Sequence, residues 1–457
     1  MIQRTLKDIQ KMAEGEGLAA QYEDRSAAGV STDSRSVLPG SLFIPITGEN
    51  FNGHRFAEKA LSEGAAAVLW AKKEFNPPAD APVIFVEDTL KALQKLAKAY
   101  KEQLNVKVAG VTGSNGKTTT KDLLASALSP SFNVHKTKGN FNNHIGLPLT
   151  LLAMPEETEV AVLEMGMSSR GEIEFLSQLA QPDAAIITNI GESHLMDLGS
   201  REGIAEAKLE IASGLKEDGI LFYFGDEPLL QERVPALSRK TMTFGETAEN
   251  DLYPSDIVQS DAGVEFTVQP EGERFVIPVL GKHNVWNALA AIAVARHFGL
   301  KDEAIKKGLS SLAMTAMRLE LLKSSKGWAV INDAYNASPT SMKAAIRLTE
   351  DLKGYSRKIL ILGDMLELGE REAEFHEQTG EHISTGKTDH VFTYGKLGEC
   401  IAAGAKKNLP DENVQSFTDK EELISAVKKF ARPGDLFLVK ASRGMKLEEA
   451  VEALQED

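Results

Sequence analysis

The stretch GSNGKTT, Gly113 to Thr119, sets small residues, an ammonium and hydroxyls in the order a polyphosphate requires. Gly113, Ser114, Asn115 and Gly116 make a turn whose backbone N–H groups can close around phosphate oxygens. Lys117 supplies a point charge for the outer phosphates, and the Thr118 hydroxyl, with Thr119 beside it, suits a phosphate-bound Mg²⁺. The β-branched run Val106 to Thr112 predicts a buried parallel strand ahead of the turn. Lys117 to about Leu128 predicts a helix after it, with its positive dipole end toward the anion. The generic pattern wants a glycine where Val111 stands, so the loop is a compressed variant. Strand, turn, Gly-Lys-Thr and helix in that order predict an ATP site.

Further candidates stand where apolar runs end. EVAVLEMG and DAAIITNI read as buried parallel strands, followed by Glu164 and by Asn189, Glu192 and His194. Ligands of open α/β sheets gather at the carboxyl ends of strands. Glu164 and His194 could therefore hold Mg²⁺ beside the phosphates, although histidine is an unusual ligand for that ion. Without the loop next door, a structural role would be the ordinary one for either residue.

Lys208 breaks a pattern. Residues 201–215, REGIAEAKLEIASGL, predict one helix with Ile204, Lys208, Ile211 and Leu215 on a single apolar stripe. Snorkelling to the surface is the ordinary explanation. The alternative is a functional lysine, kept neutral by burial, whose amine can take up CO₂ as a carbamate and so become a metal ligand. In GKHNVWNALAAIAVARHFG, a strong helix signal, Asn284 and Asn287 stand three apart near the start. Their amides could read a base edge or merely cap and line the helix.

The elements that must carry these residues divide into three domains, 1–104, 105–314 and 315–457, in a chain of 457 residues. The fold class is α/β throughout. In the first domain, Gly40 to Gly48 and PVIFVED predict strands, AEKALSEGAAAVLW a helix and a strand, and Thr89 to Leu104 a helix. Its polar clusters, STDSR with Ser34 and Arg35 and GENFNGHRF with Gly48, Asn52 and His54, could hold a phosphorylated ligand or be solvated turns. Residues 220–280 read as an excursion of short strands. The third domain repeats the α/β pattern: WAVINDAYNASP ends in Asp333, Tyr335 and Asn336, with Ser338–Pro339 as a helix start. RKILILGDM, DHVFTYG and DLFLVKASRG follow as strands ending at Asp364, Gly395, and Lys440 with Arg443. A cleft between domains is the natural place for chemistry.

Composition excludes several classes. With 42% hydrophobic and 26% charged residues the chain reads as soluble and globular. A net charge of −15 argues against a nucleic-acid partner. The single cysteine, Cys400, fits a reducing compartment and reads as a small helix residue. The charged N-terminus and the lack of long apolar runs predict a cytoplasmic protein with no integral membrane segment, taken to be a monomer.

At this point the sequence resembles the Mur ligases, the ATP-dependent amide-forming family of peptidoglycan synthesis. The likeness spans essentially the whole chain, through GVTGSNGKTTTKD, GNFNNHIGLPLT, LEMGMSSRGEI, TNIGESHL, GKHNVWNALAA, MRLE, NDAYNASPTSM, LGDMLELG and VKASRGMKLE. The later motifs resemble the branch that joins D-alanyl-D-alanine to a UDP-N-acetylmuramoyl-tripeptide, and no DNPR-like stretch of the neighbouring branch is present. The resemblance implies an N-terminal UDP-binding domain, a central P-loop ATPase domain and a C-terminal Rossmann-like domain for the dipeptide. Gly113 to Thr119 would wrap the ATP phosphates. Thr118, Glu164 and His194 match the Mg²⁺ positions, and Lys208 matches a lysine carbamylated in relatives. Asn287 matches an adenine contact, while Arg318 and Asp333 match residues that approach ATP when domains close. Ser34, Arg35 and the Gly48 to His54 loop would hold the UDP end, with Asn142 and Asn143 toward the muramoyl-peptide channel and Asn336 also on the substrate side. Where relatives carry a lysine soon after the aspartate, this chain has Tyr335, which leaves that contact open.

The implied chemistry transfers the γ-phosphoryl group of ATP to a terminal carboxylate, making an acyl phosphate that an amine then attacks. Lys117, Lys208, His194, Asp333 and Arg318 are the residues expected to serve it. Two other classes fit the loop alone. A nucleotide-binding switch would bind ATP and release no phosphate, and a folylpolyglutamate-type ligase would release phosphate with another acceptor.

Overall fold

The computed structural model describes residues 1–48 and 51–456. Glu49 and Asn50, within the GENFNGHRF cluster, lie outside the described residues. Three parallel or mostly parallel sheets follow one another along the chain.

The first has four parallel strands, in the order Val30–Ser31, Leu42–Phe43, Ala67–Ala71 and Val83–Val86. The strand expected over Gly40 to Gly48 is broken. Leu42–Phe43 joins this sheet and Thr47–Gly48 pairs instead with Phe51–Asn52. Pro45 lies between them and has no N–H to continue a ladder. The helix Thr89–Gln103 leads out, capped by Asp88, whose side chain accepts the Lys91 N–H.

The second sheet is six-stranded and wholly parallel, ordered Val134–Lys136, Val160–Glu164, Lys107–Thr112, Ala184–Ile187, Ile220–Phe224, Lys240–Phe244. Apart from exposed Lys107 at the start of one and the polar Thr112 and Glu164 at strand ends, its central strands are buried apolar runs, as a sheet covered on both faces requires. The chain reverses its direction of strand addition at Lys107–Thr112, which makes the end of that strand the switch-point crevice. Two of the strands in 220–280 therefore belong to the main sheet. The excursion is confined to an antiparallel trio, Tyr253–Ser260, Gly263–Gln269 and Glu273–Ile277. Its Phe266 and Phe275 pack in the same core as Phe222, Leu123 and the buried helix Asn284–His297.

The third sheet runs Glu320–Lys323, Ala329–Asn332, Asp435–Lys440, Arg357–Gly363, His390–Tyr394, Val414–Phe417, with only the first strand antiparallel. Ser338 caps the helix Pro339–Asp351 in a reciprocal capping box with Ser341, and Pro339 occupies the first turn, as expected. Cys400 stands on the helix Gly398–Ala405 and is partly exposed.

Candidate functional site

The helix Lys117–Leu128 begins where the Lys107–Thr112 strand ends, and glycine makes that turn possible. Gly116 has φ 81°, and a Cβ there would stand 2.4 Å from Asn287 Oδ1. Gly113 has φ 146°, and a Cβ would meet Thr188 Oγ1 at 1.9 Å. Neighbouring strand ends brace the loop. Asn189 accepts the Ser114 N–H through its carbonyl at 3.1 Å and the Asn115 N–H through Oδ1 at 2.9 Å. Gly191 N–H donates to Ser114 Oγ at 2.8 Å. Lys117 Nζ folds back to donate to Gly113 O at 2.7 Å and Ser114 O at 3.3 Å. Burial pulls its pKa below the usual lysine value, with Glu164 opposing and Arg318 assisting.

The loop opens on a cleft of about 450 Å³, within the range of small-molecule sites. Ser114 to Thr119, Asn287, Arg318, Asp333 and Asn336 line it together. The third sheet thus faces the loop directly. Arg318 Nη2 donates to Thr118 Oγ1 at 3.3 Å, and Ser338 Oγ donates to Asn115 Oδ1 at 3.1 Å. Thr340 Oγ1 donates to Glu192 Oε2 at 2.7 Å. Asp333 Oδ1 accepts the Leu319 N–H at 3.2 Å, and its Oδ2 pairs with Lys440 Nζ at 2.5 Å. Tyr335 carries the Arg318 guanidinium 4.2 Å above its ring. The cation beside Asp333 thus comes from the end of the Asp435–Lys440 strand.

Glu164, His194 and Lys208 do not line the cleft, though Glu164 touches the loop at Thr118 and both His194 and Lys208 feel the Lys117 charge. Glu164 is buried; its Oε2 accepts Thr118 Oγ1–H at 3.0 Å and its Oε1 accepts Asn142 Nδ2 at 3.0 Å. One carboxylate and one hydroxyl at the phosphate end are the donors Mg²⁺ takes when it keeps water and phosphate oxygens as its other ligands. Among the described residues no group of three or more His, Cys, Asp and Glu forms a dedicated cage. His194, at φ 62°, sits with Nδ1 2.9 Å from Glu367 Oε2 but outside hydrogen-bond geometry. Burial first, then Lys117 and Lys208, lower its pKa, and Glu367 opposes them.

Lys208 corrects the snorkelling explanation. Its side chain is 1% exposed and forms no hydrogen bond or ion pair among the described residues. Burial, and after it the Lys117 charge, hold its amine well below the usual lysine pKa. The helix expected over 201–215 ends at Leu209 and tightens into a 3-10 turn, Glu210–Ser213.

The remaining sites are local. Asn284 is no helix cap: its Nδ2 donates to Leu280 O at 2.7 Å, and its Oδ1 accepts Asn287 Nδ2 at 2.8 Å. Asn287 Oδ1 accepts Thr120 Oγ1–H at 3.2 Å, so this asparagine underpins the loop while facing the cleft. Asn143 Oδ1 caps Gly146 N–H at 2.8 Å. In the first sheet's loops, Ser34 is buried and Gly48 exposed, and Arg35 is paired with Asp33 at 2.7 Å. His54 is no solvated turn residue. It is buried edge-on against Trp70 at 4.8 Å, with Nδ1 2.8 Å from Asn52 Oδ1 and Nε2 accepting the Ala71 N–H at 3.2 Å. Asn284 and Asn287 line the cleft, whereas Asn143 and the first sheet's loop residues do not. His283 lines it as well, and it was not singled out from sequence; burial pushes its imidazole down to about 4.

A glycine-built phosphate loop at a switch point, faced by an arginine and an acid from a second α/β sheet, defines a nucleotide-using enzyme that works between two layers. Three family models divide the chain: "Mur ligase family, catalytic domain" at residues 26–101, "Mur ligase middle domain" at 111–295, and "Mur ligase, glutamate ligase domain" at 317–443. The chain belongs to the Mur ligase family and is a ligase. It is 59% identical, over 100% of its length and 99% of the relative's, to the UDP-N-acetylmuramoyl-tripeptide–D-alanyl-D-alanine ligase of Bacillus subtilis. It is 36% identical to the Escherichia coli enzyme of that name, over 100% and 99% of the two chains. Among solved structures it is similar to MurF from Acinetobacter baumannii, with TM-score 0.89, 30% identity and full coverage of both chains. MurF ligase from Thermotoga maritima in complex with ADP aligns with TM-score 0.82 and 31% identity, over 94% of this chain and 97% of that one. A Mycobacterium tuberculosis folylpolyglutamate synthase shares the fold alone, at 15% identity.

Proposed function

We propose that this protein joins D-alanyl-D-alanine to UDP-N-acetylmuramoyl-tripeptide at the expense of ATP, releasing ADP and phosphate. The single observation that carries this reading is the full-length likeness to ligases of that name, up to 59% identity, on a chain whose own phosphate loop faces Arg318 and Asp333.

The two substrates of the first step are both anions. On the Gly113–Thr119 loop, the backbone N–H groups that Asn189 does not take and the Lys117 ammonium receive the phosphates, and Arg318 adds a second cation from the opposite wall. Mg²⁺, when bound, neutralises phosphate charge and polarises the transferred group; Thr118 and Glu164 would hold it, with His194 and a carbamylated Lys208 as further candidates. Asn287 sits at the adenine side. The γ-phosphoryl group passes to the peptide carboxylate, whose oxygen thereby becomes part of a leaving group. The dipeptide amine attacks the acyl carbon, the C–N bond forms, and phosphate departs with that oxygen. A cleft lined from both sheets keeps water from the acyl phosphate.

In this reading residues 1–104 hold the UDP end through Ser34, Arg35, Gly48 and Asn52, with His54 holding their loop. Residues 105–314 bind ATP, with Asn142 and Asn143 toward the acceptor peptide. Residues 315–457 bring the dipeptide, with Asn336 at its side of the cleft. The protein acts in the cytoplasm as a monomer. The reading accords with the absence of any membrane-crossing helix among the described residues. The test is phosphate release from ATP with purified UDP-N-acetylmuramoyl-tripeptide. Release that depends on added D-alanyl-D-alanine is expected, and release that ignores the dipeptide overturns the assignment.

A further inference from the structure

Thr118, Asp122 and Ser126 stand four residues apart on the helix Lys117–Leu128 and so share one face. Ser126 holds the last turn of the helix Asp302–Ser310, and Asp122 and Thr118 grip the segment that runs from it into the third sheet, at successive points. Ser126 Oγ donates to Gly308 O at 2.7 Å. Asp122 Oδ2 accepts the Thr315 N–H at 2.9 Å and its hydroxyl at 2.7 Å. Thr118 Oγ1 accepts Arg318 Nη2 at 3.3 Å. The linker therefore runs antiparallel to the helix, from its far end back to the phosphate loop.

Asp122 is the strongest of the three grips. It is 0% exposed, and its Oδ1 also takes Lys136 Nζ at 2.6 Å, with Lys121 Nζ at 3.5 Å. Burial opposes its ionisation, but Lys121, Lys136 and Thr315 outweigh burial and keep the carboxyl below its ordinary pKa. Downstream, Arg318 is flanked by Met317 at φ 61° and Leu319 at φ 51°, left-handed backbone that such side chains rarely adopt. Backbone of that kind persists only where its surroundings over-determine it. Here the surroundings are the Asp122–Thr315 grip before the arginine, and after it Glu320 Oε2 and Asp333 Oδ1, which accept the Met317 and Leu319 N–H groups at 3.2 Å each.

We propose that Asp122 is a positioning residue for the ligation reaction: it sets the register of the linker along the loop helix and so fixes where the Arg318 guanidinium stands over ATP. The inference rests on Arg318 acting at the nucleotide, as read above. A purely structural tie would stabilise the protein without caring whether Arg318 is present.

The test is a double-mutant cycle on the full-length protein, with ATP, UDP-N-acetylmuramoyl-tripeptide and D-alanyl-D-alanine, read as kcat, KM for ATP and the equilibrium affinity of a fluorescent ATP analogue. Asp122→Ala is expected to lower kcat by up to about 10²-fold, the scale of an ångström's misplacement, with analogue affinity held within about twofold. Thr315→Val, which keeps the aspartate paired with Lys136, is expected to lower kcat about 3- to 10-fold, the scale of one hydrogen bond. In an Arg318→Lys background neither substitution should cost much more. Wild-type turnover in Arg318→Lys alone would remove the underlying role of the arginine. With Arg318→Lys impaired, losses that multiply in full overturn the register proposal, as does unchanged turnover in Thr315→Val. Should Asp122→Ala not fold, the Thr315→Val and Arg318→Lys cycle decides by itself.

Discussion

Lys440 Nζ lies 2.5 Å from Asp333 Oδ2, and the two belong to the carboxyl ends of adjacent parallel strands in the third sheet. The lysine is 2% exposed and also donates to Asn336 O at 2.9 Å, while the free oxygen of Asp333 holds the Leu319 N–H. One ion pair thus ties together the three stretches of the third sheet that face the phosphate loop.

Lys440→Met should therefore do more damage than the loss of a surface charge. Removing one partner leaves a buried carboxylate uncompensated, which costs about 3–5 kcal/mol. Thermal unfolding should show a large fall in Tm. Lys440→Met combined with Asp333→Asn should recover much of it, because the pair is then removed as a unit. A double variant as unstable as the single one would show that the pair is not what holds this corner.

Lys117→Ala should lower ligation by at least about 10²- to 10³-fold, the usual loss when one preorganised electrostatic donor is removed. Its ammonium caps two loop carbonyls, so circular dichroism should confirm that the fold survives. Turnover like wild type in a folded variant would take the loop out of the mechanism.

Lys208→Ala should be inactive and partly restored by a short-chain carboxylic acid, which can occupy the space of a carbamate. The buried, unpartnered and neutral-leaning amine motivates this expectation. Full activity in the unsupplemented variant, or inactivity that no acid relieves, would argue against a carboxylate at this position.

His390 gives the pH dependence a sign. It is buried between Phe392 at 4.5 Å and Phe430 at 4.4 Å, and burial, with Arg357 assisting, pushes its pKa from 6.5 to about 4. The unfolded chain then takes up a proton that the folded one refuses. Stability from this site is complete above pH 6.5 and lost as pH falls toward 4, by up to about 3 kcal/mol. Denaturant unfolding at pH 7 and pH 4.5 should show a smaller acid loss in His390→Phe than in wild type. Equal losses would place the acid sensitivity elsewhere.

Local signals carried much of this molecule. Strand, turn, Gly-Lys-Thr and helix were readable because each depends on neighbours in sequence, and the Gly113 and Gly116 backbone bears that out. Ser338–Pro339 was readable as a helix start for the same reason. Long-range partners were not readable. Lys440 reaches Asp333 across 107 positions, and Thr315 reaches Asp122 across 193, and no local pattern encodes either meeting. The apolar stripe around Lys208 signalled an anomaly but could not tell a snorkelling side chain from a buried one. His54 looked like loop chemistry and is core, because Trp70 and Ala71, on a strand the sequence does show, pack against it in a way that local spacing does not reveal. Short strands misled in the other direction: Ile220–Phe224 and Lys240–Phe244 joined the main sheet, where only tertiary pairing could put them.

The central claim is that ATP at the Gly113–Thr119 loop activates a carboxylate through an acyl phosphate, and an oxygen label tests it most directly. UDP-N-acetylmuramoyl-tripeptide carrying ¹⁸O in its terminal carboxylate should be ligated to D-alanyl-D-alanine, and the released phosphate analysed by mass spectrometry. One labelled oxygen in the phosphate for each amide formed is the predicted result. Phosphate that leaves unlabelled while the amide forms would contradict the account.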